Sequence, residues 1–415
     1  VKILVVGQGG REHAIVWKLS KNGQNQIYCA PGNGGISDLA QCVEFTKTED
    51  LIHFALKEKV HLTVVGPEVY LANGIVDEFE KHGLKIFGPN KMAAMIESSK
   101  VFAKLLMAKY GIPTAKFEIF DDPNLAHRHV SKVEGPIVVK ADGLAAGKGA
   151  IVARSKESAH KAIDDIMNRR IFGEAGKRVV IEEFLEGKEV SILAFCDGKT
   201  VIPMVSSMDY KKAYDNDLGP NTGGMGSIAP CPFYSEETAK YVYDNILAKT
   251  IEALENEGIR YKGVLYAGLM LTRVGPKVLE FNCRFGDPET QVILMLLKDD
   301  LLEILQATVE GMLNSCSVGW LDEKAVCVVL VSGGYPDLYK TGFEISGLEK
   351  ARKNIVIFHA GTKKIDGRIF TNGGRVLNVC ARSQSYEQAR QIVYDAIEKI
   401  HFENIYYRKD IALNL

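Results

Sequence analysis

Leu279-Glu280-Phe281-Asn282-Cys283-Arg284-Phe285-Gly286-Asp287-Pro288-Glu289-Thr290-Gln291 reads as the end of a strand, a turn and the start of a helix. Val278-Leu279 leads into it, and the apolar run from Gln291 to Leu297 leads out. Side chains alternate faces along a strand, so Glu280, Asn282 and Arg284 point the same way. That face carries a carboxylate, an amide oxygen and a guanidinium in a row. Magnesium favours hard oxygen ligands shared with substrate phosphates, which makes Glu280 and Asn282 candidate metal ligands. Arg284, one step further, is placed to steady the charge of a transferring phosphoryl group. A merely solvated polar face is the alternative. Against it, the three groups meet Gly286-Asp287-Pro288, a turn into a helix start.

Upstream, Val138-Val139-Lys140-Ala141-Asp142-Gly143-Leu144-Ala145-Ala146-Gly147-Lys148-Gly149-Ala150 is a strand, a glycine-rich turn and another strand. Glycines let backbone N–H groups approach a triphosphate, and the resulting nest favours anions. It is not a Walker A loop. Asp142 stands where the first glycine belongs, and Gly149 follows Lys148 where Ser or Thr belongs. A tight hairpin with a surface lysine is the alternative. Lys140 argues against that, because it ends an apolar strand and there needs an anionic partner. Glu182-Glu183-Phe184-Leu185 ends the next strand. Such a linker can offer backbone groups to an adenine edge, and Glu189 can accept from ribose hydroxyls. Simple surface charge is the competing reading of these acids.

The first loop, Gly7-Gln8-Gly9-Gly10-Arg11-Glu12-His13, follows a strand and opens a helix, where phosphate binds well. It resembles the dinucleotide fingerprint, but Glu12 takes the third glycine position. No acid ends the second strand, where Ile27-Tyr28-Cys29-Ala30 stands. Both departures count against NAD. Arg11 suits a monophosphate. Asn33-Gly34-Gly35 and Gly66-Pro67-Glu68 also lie at strand ends, where doubly wound sheets hold ligands, although plain turns would look the same. Asp217 to Gly226 is a long loop with four glycines. Its Asn221, Thr222, Gly223 and Gly224 suit a lid or substrate clamp, with disorder as the bland alternative.

The whole chain sets the frame. It has 415 residues, enough for two to four domains. Lys plus Arg is 51 against 52 acids, a formal net charge of −1. No global attraction for nucleic acid or anionic membrane follows, so any anion site is local. The eight cysteines form no Cys-x-x-Cys pair, which suggests neither a zinc site nor a disulfide scaffold. A reducing, cytoplasmic setting is expected. No apolar run approaches the ~20 residues that span a bilayer. No signal peptide is expected, because the chain enters a strand directly.

Residues 1–98 alternate strands (Lys2–Val6, Gln26–Cys29, His61–Val65, Lys85–Phe87) with helices (Arg11–Ser20, Asp50–Glu58, Gly74–His82, Lys91–Glu97), which predicts a doubly wound parallel sheet. Ser98-Ser99 is expected to cap a helix to Tyr110. Residues 121–186 form a smaller unit, residues 99–120 and 187–324 a larger mixed one, and residues 325–415 the last.

Taken together these residues closely resemble the glycinamide ribonucleotide synthetase family of the ATP-grasp superfamily. The resemblance runs over essentially the whole chain. Its motifs include Gly7 to His13, Lys140 to Gly149, Gly219 to Gly226, Arg284 to Gln291, Phe358 to Thr362 and Thr371 to Leu377. It implies a multidomain α/β ligase, α+β in its ATP-grasp part. It assigns 1–98 as the N-terminal domain, 99–120 with 187–324 as the catalytic domain, 121–186 as a small lid and 325–415 as the C-terminal domain. The implied reaction joins glycine to 5-phosphoribosylamine with ATP, through glycyl phosphate, in purine biosynthesis. Magnesium or manganese is the implied cofactor, and a single chain suffices.

By the same resemblance, Lys100, Lys140 and Lys148 meet ATP phosphates under the loop Gly143, Gly147 and Gly149. Glu182, Glu183, Phe184, Leu185 and Glu189 take the nucleoside. Glu280 and Asn282 hold the metal, and Arg284 lies over the acyl phosphate. Gly9, Gly10, Arg11, Glu12, His13, Asn33, Gly34, Pro67, Glu68, Asp209, Asn221 to Gly224, Arg284 and Asp287 are the implied substrate contacts. The family often has Asp-His-Lys-Arg where this chain has Asp209-Tyr210-Lys211-Lys212, which leaves Tyr210 and Lys212 without an inherited role. Another ATP-grasp ligase, a silent nucleotide-binding protein and, more remotely, an NAD-dependent oxidoreductase are the competing readings.

Overall fold

The structure, a computed structural model, describes residues 1–145, 147–351 and 353–415. The N-terminal strands Lys2–Gly7, Gln26–Pro31, Gln41–Cys42, Leu62–Val65 and Ile86–Phe87 form one parallel sheet. From edge to edge the order is Gln41–Cys42, Gln26–Pro31, Lys2–Gly7, Leu62–Val65, Ile86–Phe87. The order reverses between Lys2–Gly7 and Leu62–Val65. The loops that follow these two strands therefore flank the crevice where such sheets hold ligands. Ile3, Leu4, Val5 and Val6 are fully buried on both faces, as expected of a sheet covered on both sides. The sequence-based reading found four of these strands. It missed Gln41–Cys42, whose two residues carry no periodic signal.

A second sheet is antiparallel, in the order Val201–Pro203, Lys188–Cys196, Gly263–Thr272, Gly275–Asn282. A four-stranded sheet of Phe117–Phe120, Val179–Glu183, Ile137–Ala141 and Ala150–Ala153 packs under helices Pro123–Lys132 and Lys156–Ile163 around its own apolar cluster. The last large sheet joins distant segments. Met208–Asp209 and Gly226–Ala229 pair on to Lys324–Ser332, which pairs Arg375–Ser383 and through it Val356–His359. Strands from both sides of residue 325 thus share one sheet.

The helix Lys100–Tyr110 begins where Ser99 Oγ accepts from Phe102 N at 3.1 Å and ends at Gly111 with φ +62°. The helix that begins at Glu236 continues to Asn256 through a π-helical turn at Tyr243–Leu247. The loop expected between Asp217 and Gly226 is ordered as a strand, Leu218–Asn221, paired with Lys212–Tyr214. Among the described residues no helix is long and apolar enough to cross a membrane.

Candidate active site

The strand Gly275–Asn282 carries a β-bulge. Glu280 pairs Gly268 while Val278 pairs Leu269, so Leu279 is the extra residue. Bulges re-aim side chains. Here the bulged Leu279 carbonyl accepts from Lys140 Nζ at 2.9 Å, tying this strand to the small sheet. Glu280, Asn282 and Arg284 then line one cleft of about 1150 Å³.

Lys140 lies on one wall. Its Nζ is 3.0 Å from Glu182, and Lys104 Nζ is 3.0 Å from the same carboxylate. All three are buried. Two buried cations against one carboxylate leave a net positive charge that calls for an anion. The strain shows in Lys104: burial first, then the Lys140 charge, lower its pKa to about 8 despite Glu182. Lys100 also lines the cleft, its Nζ 3.4 Å from the Gly143 carbonyl.

Gly143, Gly147 and Gly149 lie on the cleft wall. Gly143 has φ +154°, and a Cβ there would stand 2.6 Å from Ala175 Cβ, so only glycine fits. Ala146 of this loop lies outside the described residues. Lys148 reaches away, to the Pro336 carbonyl at 3.3 Å.

Of the expected nucleoside contacts, Glu182, Glu183, Phe184, Leu185 and Glu189 all line the cleft. Their side chains are largely engaged already. Glu182 holds the two lysines, Glu183 accepts from Lys277 Nζ and Lys116 N at 2.9 Å each, and Glu189 pairs Lys211 at 2.8 Å. What this linker offers is backbone and the Phe184 ring, over which the Arg154 guanidinium stands at 5.5 Å.

Burial by itself would push the Glu280 carboxyl up. Lys100, Lys211, Lys140 and Arg284 outweigh it and hold the group below its ordinary range. Glu280 is therefore a fixed anion among cations. With the Asn282 amide oxygen it offers two hard donors, which fits a small divalent ion that takes its other ligands from phosphates and water. Among the described residues no group of three or more His, Cys, Asp or Glu is arranged to hold a metal by itself.

Arg284 is clamped. Nε reaches Glu68 Oε2 at 3.1 Å, Nη2 reaches Glu97 Oε1 at 3.1 Å and Asn282 Oδ1 at 3.4 Å, and Nη1 donates to the Phe285 carbonyl at 3.2 Å. A guanidinium has five N–H groups, so one on Nη1 remains for a ligand. Arg11 approaches from the first helix, donating to the same Phe285 carbonyl at 3.1 Å. Asp287 accepts from Gln291 at 2.8 Å and pairs Arg375 at 3.3 Å, while Arg375 also donates to the Gly223 carbonyl at 2.5 Å. Gly223, Asn221, Thr222, Asp209, Pro67 and Glu68 complete this end of the cleft.

The N-terminal loop behaves differently from its sequence-based reading. Glu12 Oε2 accepts from Gly9 N at 2.6 Å, and Oε1 accepts from Arg11 Nε at 2.5 Å. A Cβ on Gly66 would lie 1.9 Å from Glu12 Oε1. The carboxylate fills the switch-point crevice and holds both loops. His13 is buried, its Nδ1 accepting from His359 N at 2.8 Å. Asn33 donates to the Gln8 and His359 carbonyls at 2.8 Å each and accepts from Gly35 N and Ile36 N at 3.0 Å each. Gly34 N donates to the Thr362 carbonyl at 3.2 Å. A Cβ on Gly10 would strike Asn378 Nδ2 at 2.3 Å. Thus Glu12, His13, Asn33, Gly34 and Gly10 pack the first sheet against later segments, and the cleft wall does not include them or Gly9. Gly224 backs it, close to Asp209 Oδ1 and Pro288.

Sequence reasoning passed over Lys104, Glu97, Lys211, Tyr266, Glu289 and Arg375, all on the cleft wall. Glu289 Oε1 accepts from Tyr266 OH at 2.6 Å and Ser191 Oγ at 3.1 Å. Lys211 sits in the quoted Asp209–Lys212 segment, Arg375 in the quoted Thr371–Leu377 motif and Glu289 in the quoted Arg284–Gln291 motif, so these three had a signal. Tyr210 and Lys212 also reach the cleft, though the Tyr210 hydroxyl accepts from Ala412 N at 3.1 Å.

Three family models match: the phosphoribosylglycinamide synthetase N domain at residues 1–97, its ATP-grasp (A) domain at 98–290 and its C domain at 325–414. A phosphoribosylamine–glycine ligase of Caldanaerobacter subterraneus subsp. tengcongensis is 57% identical, over 99% of each chain. The trifunctional purine biosynthetic protein adenosine-3 of Gallus gallus is 49% identical over 99% of this chain, which spans 42% of that protein. The crystal structure of phosphoribosylamine–glycine ligase from Thermotoga maritima superposes with a TM-score of 0.86 at 38% identity, covering 99% of this chain and 100% of that one. A biotin carboxylase of Campylobacter jejuni shares the fold, with a TM-score of 0.76 at 15% identity over 99% of this chain and 94% of that one. By its family models, its relatives and its architecture, the chain belongs to the phosphoribosylglycinamide synthetase family.

Proposed function

We propose that this enzyme ligates glycine to 5-phosphoribosylamine at the expense of ATP, giving glycinamide ribonucleotide, ADP and phosphate in purine biosynthesis. The observation that carries the reading is one cleft whose wall brings cations and hard oxygen donors together. Lys100, Lys104, Lys140, Arg11, Arg284 and Arg375 line it with Asn282, and the Glu280 carboxyl lies among the charges of Lys100, Lys140 and Arg284.

A carboxylate is a poor electrophile because its leaving group would be oxide. Phosphorylation supplies a leaving group, and the site must then exclude water until the amine attacks. In this reading Lys100 and Lys140 hold the ATP phosphates, with the Gly143–Gly149 loop above them. The Glu182–Leu185 linker presents backbone to the adenine, and Glu189 faces the ribose. Arg284, kept rigid by Glu68 and Glu97, uses its remaining N–H on the transferred phosphoryl oxygens. Arg11 at the first helix start meets the sugar phosphate. Asp287, Asn221, Thr222 and Gly223 enclose glycine and the sugar. Glu280 and Asn282 would hold magnesium or manganese, which neutralises phosphate charge when bound.

The residues so used come from one chain, so a monomer suffices, and the eight free cysteines suit a reducing cytoplasm. We keep the divisions at 98/99, 186/187 and 324/325, although Met208–Asp209 and Gly226–Ala229 pair into the sheet of the last domain, and correct 120/121: Phe117–Phe120 pairs Val179–Glu183, so it belongs to the small four-stranded lid.

The test is ADP release by the purified enzyme with glycine and phosphoribosylamine, each omitted in turn, with the product identified by mass. Release that requires both, with glycinamide ribonucleotide formed, is expected. Release that persists without phosphoribosylamine, or that prefers another carboxylate, would refute the reading.

A further inference from the structure

Asp209, on the cleft wall, holds one carboxylate oxygen buried and without a hydrogen-bond partner. The residue ends a two-residue strand beside Gly226–Ala229. That oxygen, Oδ1, is pressed towards Gly224, where an added Cβ would lie 2.7 Å away. The neighbouring carboxylates are all engaged: Glu289 with Tyr266 and Ser191, Glu189 with Lys211, Asp287 with Arg375. An ionised carboxylate stripped of water and donors on one oxygen binds a proton more readily.

The charged groups facing Asp209 come from four elements. Glu289 on the following helix and Glu189 on the adjoining strand raise its proton affinity, whereas Lys211 and Arg375 oppose them. Burial is the largest influence, and the carboxyl stands well above its ordinary range.

We infer that Asp209 is the base that takes the proton from the attacking amine. The inference rests on the ligase reading above. The amine nitrogen of phosphoribosylamine gives its lone pair to the acyl carbon of glycyl phosphate, forming the C–N bond. The bond from that carbon to the phosphate oxygen breaks, its electron pair leaving with phosphate. The nitrogen loses one proton to the Asp209 carboxylate. Asp209 then passes it to the departing phosphate, which leaves as the hydrogen phosphate dianion. Asp209 plays no part in forming glycyl phosphate, so the two halves of the reaction separate experimentally.

The experiment compares the parent with Asp209→Asn in two assays. One measures glycinamide ribonucleotide formation. The other measures ADP release with glycine and hydroxylamine, a weakly basic nucleophile that intercepts glycyl phosphate without a base. Asp209→Asn is expected to lose roughly 10²–10⁴-fold in the first assay and at least tenfold less in the second. Its residual rate should also lack the parent's fall on the acidic side. Equal losses in both assays, or no loss in either, would overturn the inference. Should Asp209→Asn fail to fold, Asp209→Glu decides: a displaced acidic limb is expected, and an unchanged one overturns it. A parent that forms no glycinamide ribonucleotide in the first assay refutes the ligase reading itself, and is seen before any variant is made.

Discussion

Replacing Arg284 with lysine keeps the charge and removes the fork, which makes it the sharpest probe of the cleft. The guanidinium reaches Glu68 and Glu97 through different nitrogens, each at 3.1 Å, and still spares one N–H for a ligand. A lysine Nζ cannot reach both carboxylates and a phosphoryl oxygen at once. Two losses follow. One carboxylate is left unpaired, and a hydrogen bond to a charged group is worth about 1.5–3 kcal/mol. Glu97 is the more exposed to that loss, because burial already raises its pKa and Arg284 is the main opposing charge. Protonation of Glu97 would relieve the unpaired charge, so the variant should fold with a lowered melting temperature.

The second loss is catalytic. Removing one donor aimed at developing charge typically costs about 2.7–4 kcal/mol, or about 10²–10³ in rate. The ATP dissociation constant should change little, since Lys100 and Lys140, which take the ATP phosphates in this reading, are untouched. Positional isotope exchange in ATP with glycine alone reads the first chemical step, and titration with ATP reads binding. An Arg284→Lys enzyme that exchanges and turns over like the parent, with only its melting temperature lowered, would make Arg284 a structural clamp and refute the catalytic assignment.

Glu280→Gln should fold normally and lose metal-dependent turnover, with activity recovered only in part at high magnesium; an unchanged metal dependence would remove Glu280 from the metal site. Arg11→Ala should raise the Michaelis constant for phosphoribosylamine more than that for ATP; the reverse pattern would move the sugar phosphate elsewhere. His13 is held neutral because burial, and then the charge of His359, lower its pKa well below 6.5. The unfolded chain binds a proton there below about pH 6.5 and the folded chain does not, so this contribution is present above that pH and is lost as pH falls towards the folded pKa. The slope is about 1.4 kcal/mol per pH unit. His13→Asn, which can still accept from His359 N, should therefore lose less melting temperature between pH 7.5 and 5.5 than the parent; an equal loss would place the titration elsewhere.

The parts of the site legible in the sequence are those encoded by short-range spacing. Glu280, Asn282 and Arg284 at alternate positions needed only the strand period to be read as one face, and all three line the cleft. Lys140 was legible because a cation at the end of an apolar strand is costly without a partner. The partners themselves were not legible. Lys104 lies in an ordinary amphipathic helix, and nothing local distinguishes it from a solvated lysine. Its burial against Glu182 depends on a strand that arrives 78 residues later. The same holds for the strands Gly226–Ala229 and Val356–His359, which are four residues long and acquire their sheet through long-range pairing.

Glu12 shows how a local pattern can mislead in the other direction. Glycines at 7, 9 and 66 look like a cradle for phosphate, since glycine lets backbone approach an anion. Here an anion is already present, supplied by the chain. A Cβ on Gly7, Gly9 or Gly66 would lie 2.5, 2.9 or 1.9 Å from a Glu12 side-chain atom. The glycines are thus spaced around a carboxylate, and that carboxylate caps Gly9 N and fixes the Arg11 guanidinium. In a dinucleotide-binding loop the third small residue lets the helix pack closely on its strand, and the crevice is left for the ligand's pyrophosphate. In this chain Glu12 occupies that position and closes the crevice. What remains for a ligand is the part of Arg11 that lines the same cleft as Arg284. The departure from the fingerprint that argued against NAD in the sequence is, in the fold, the device that aims Arg11.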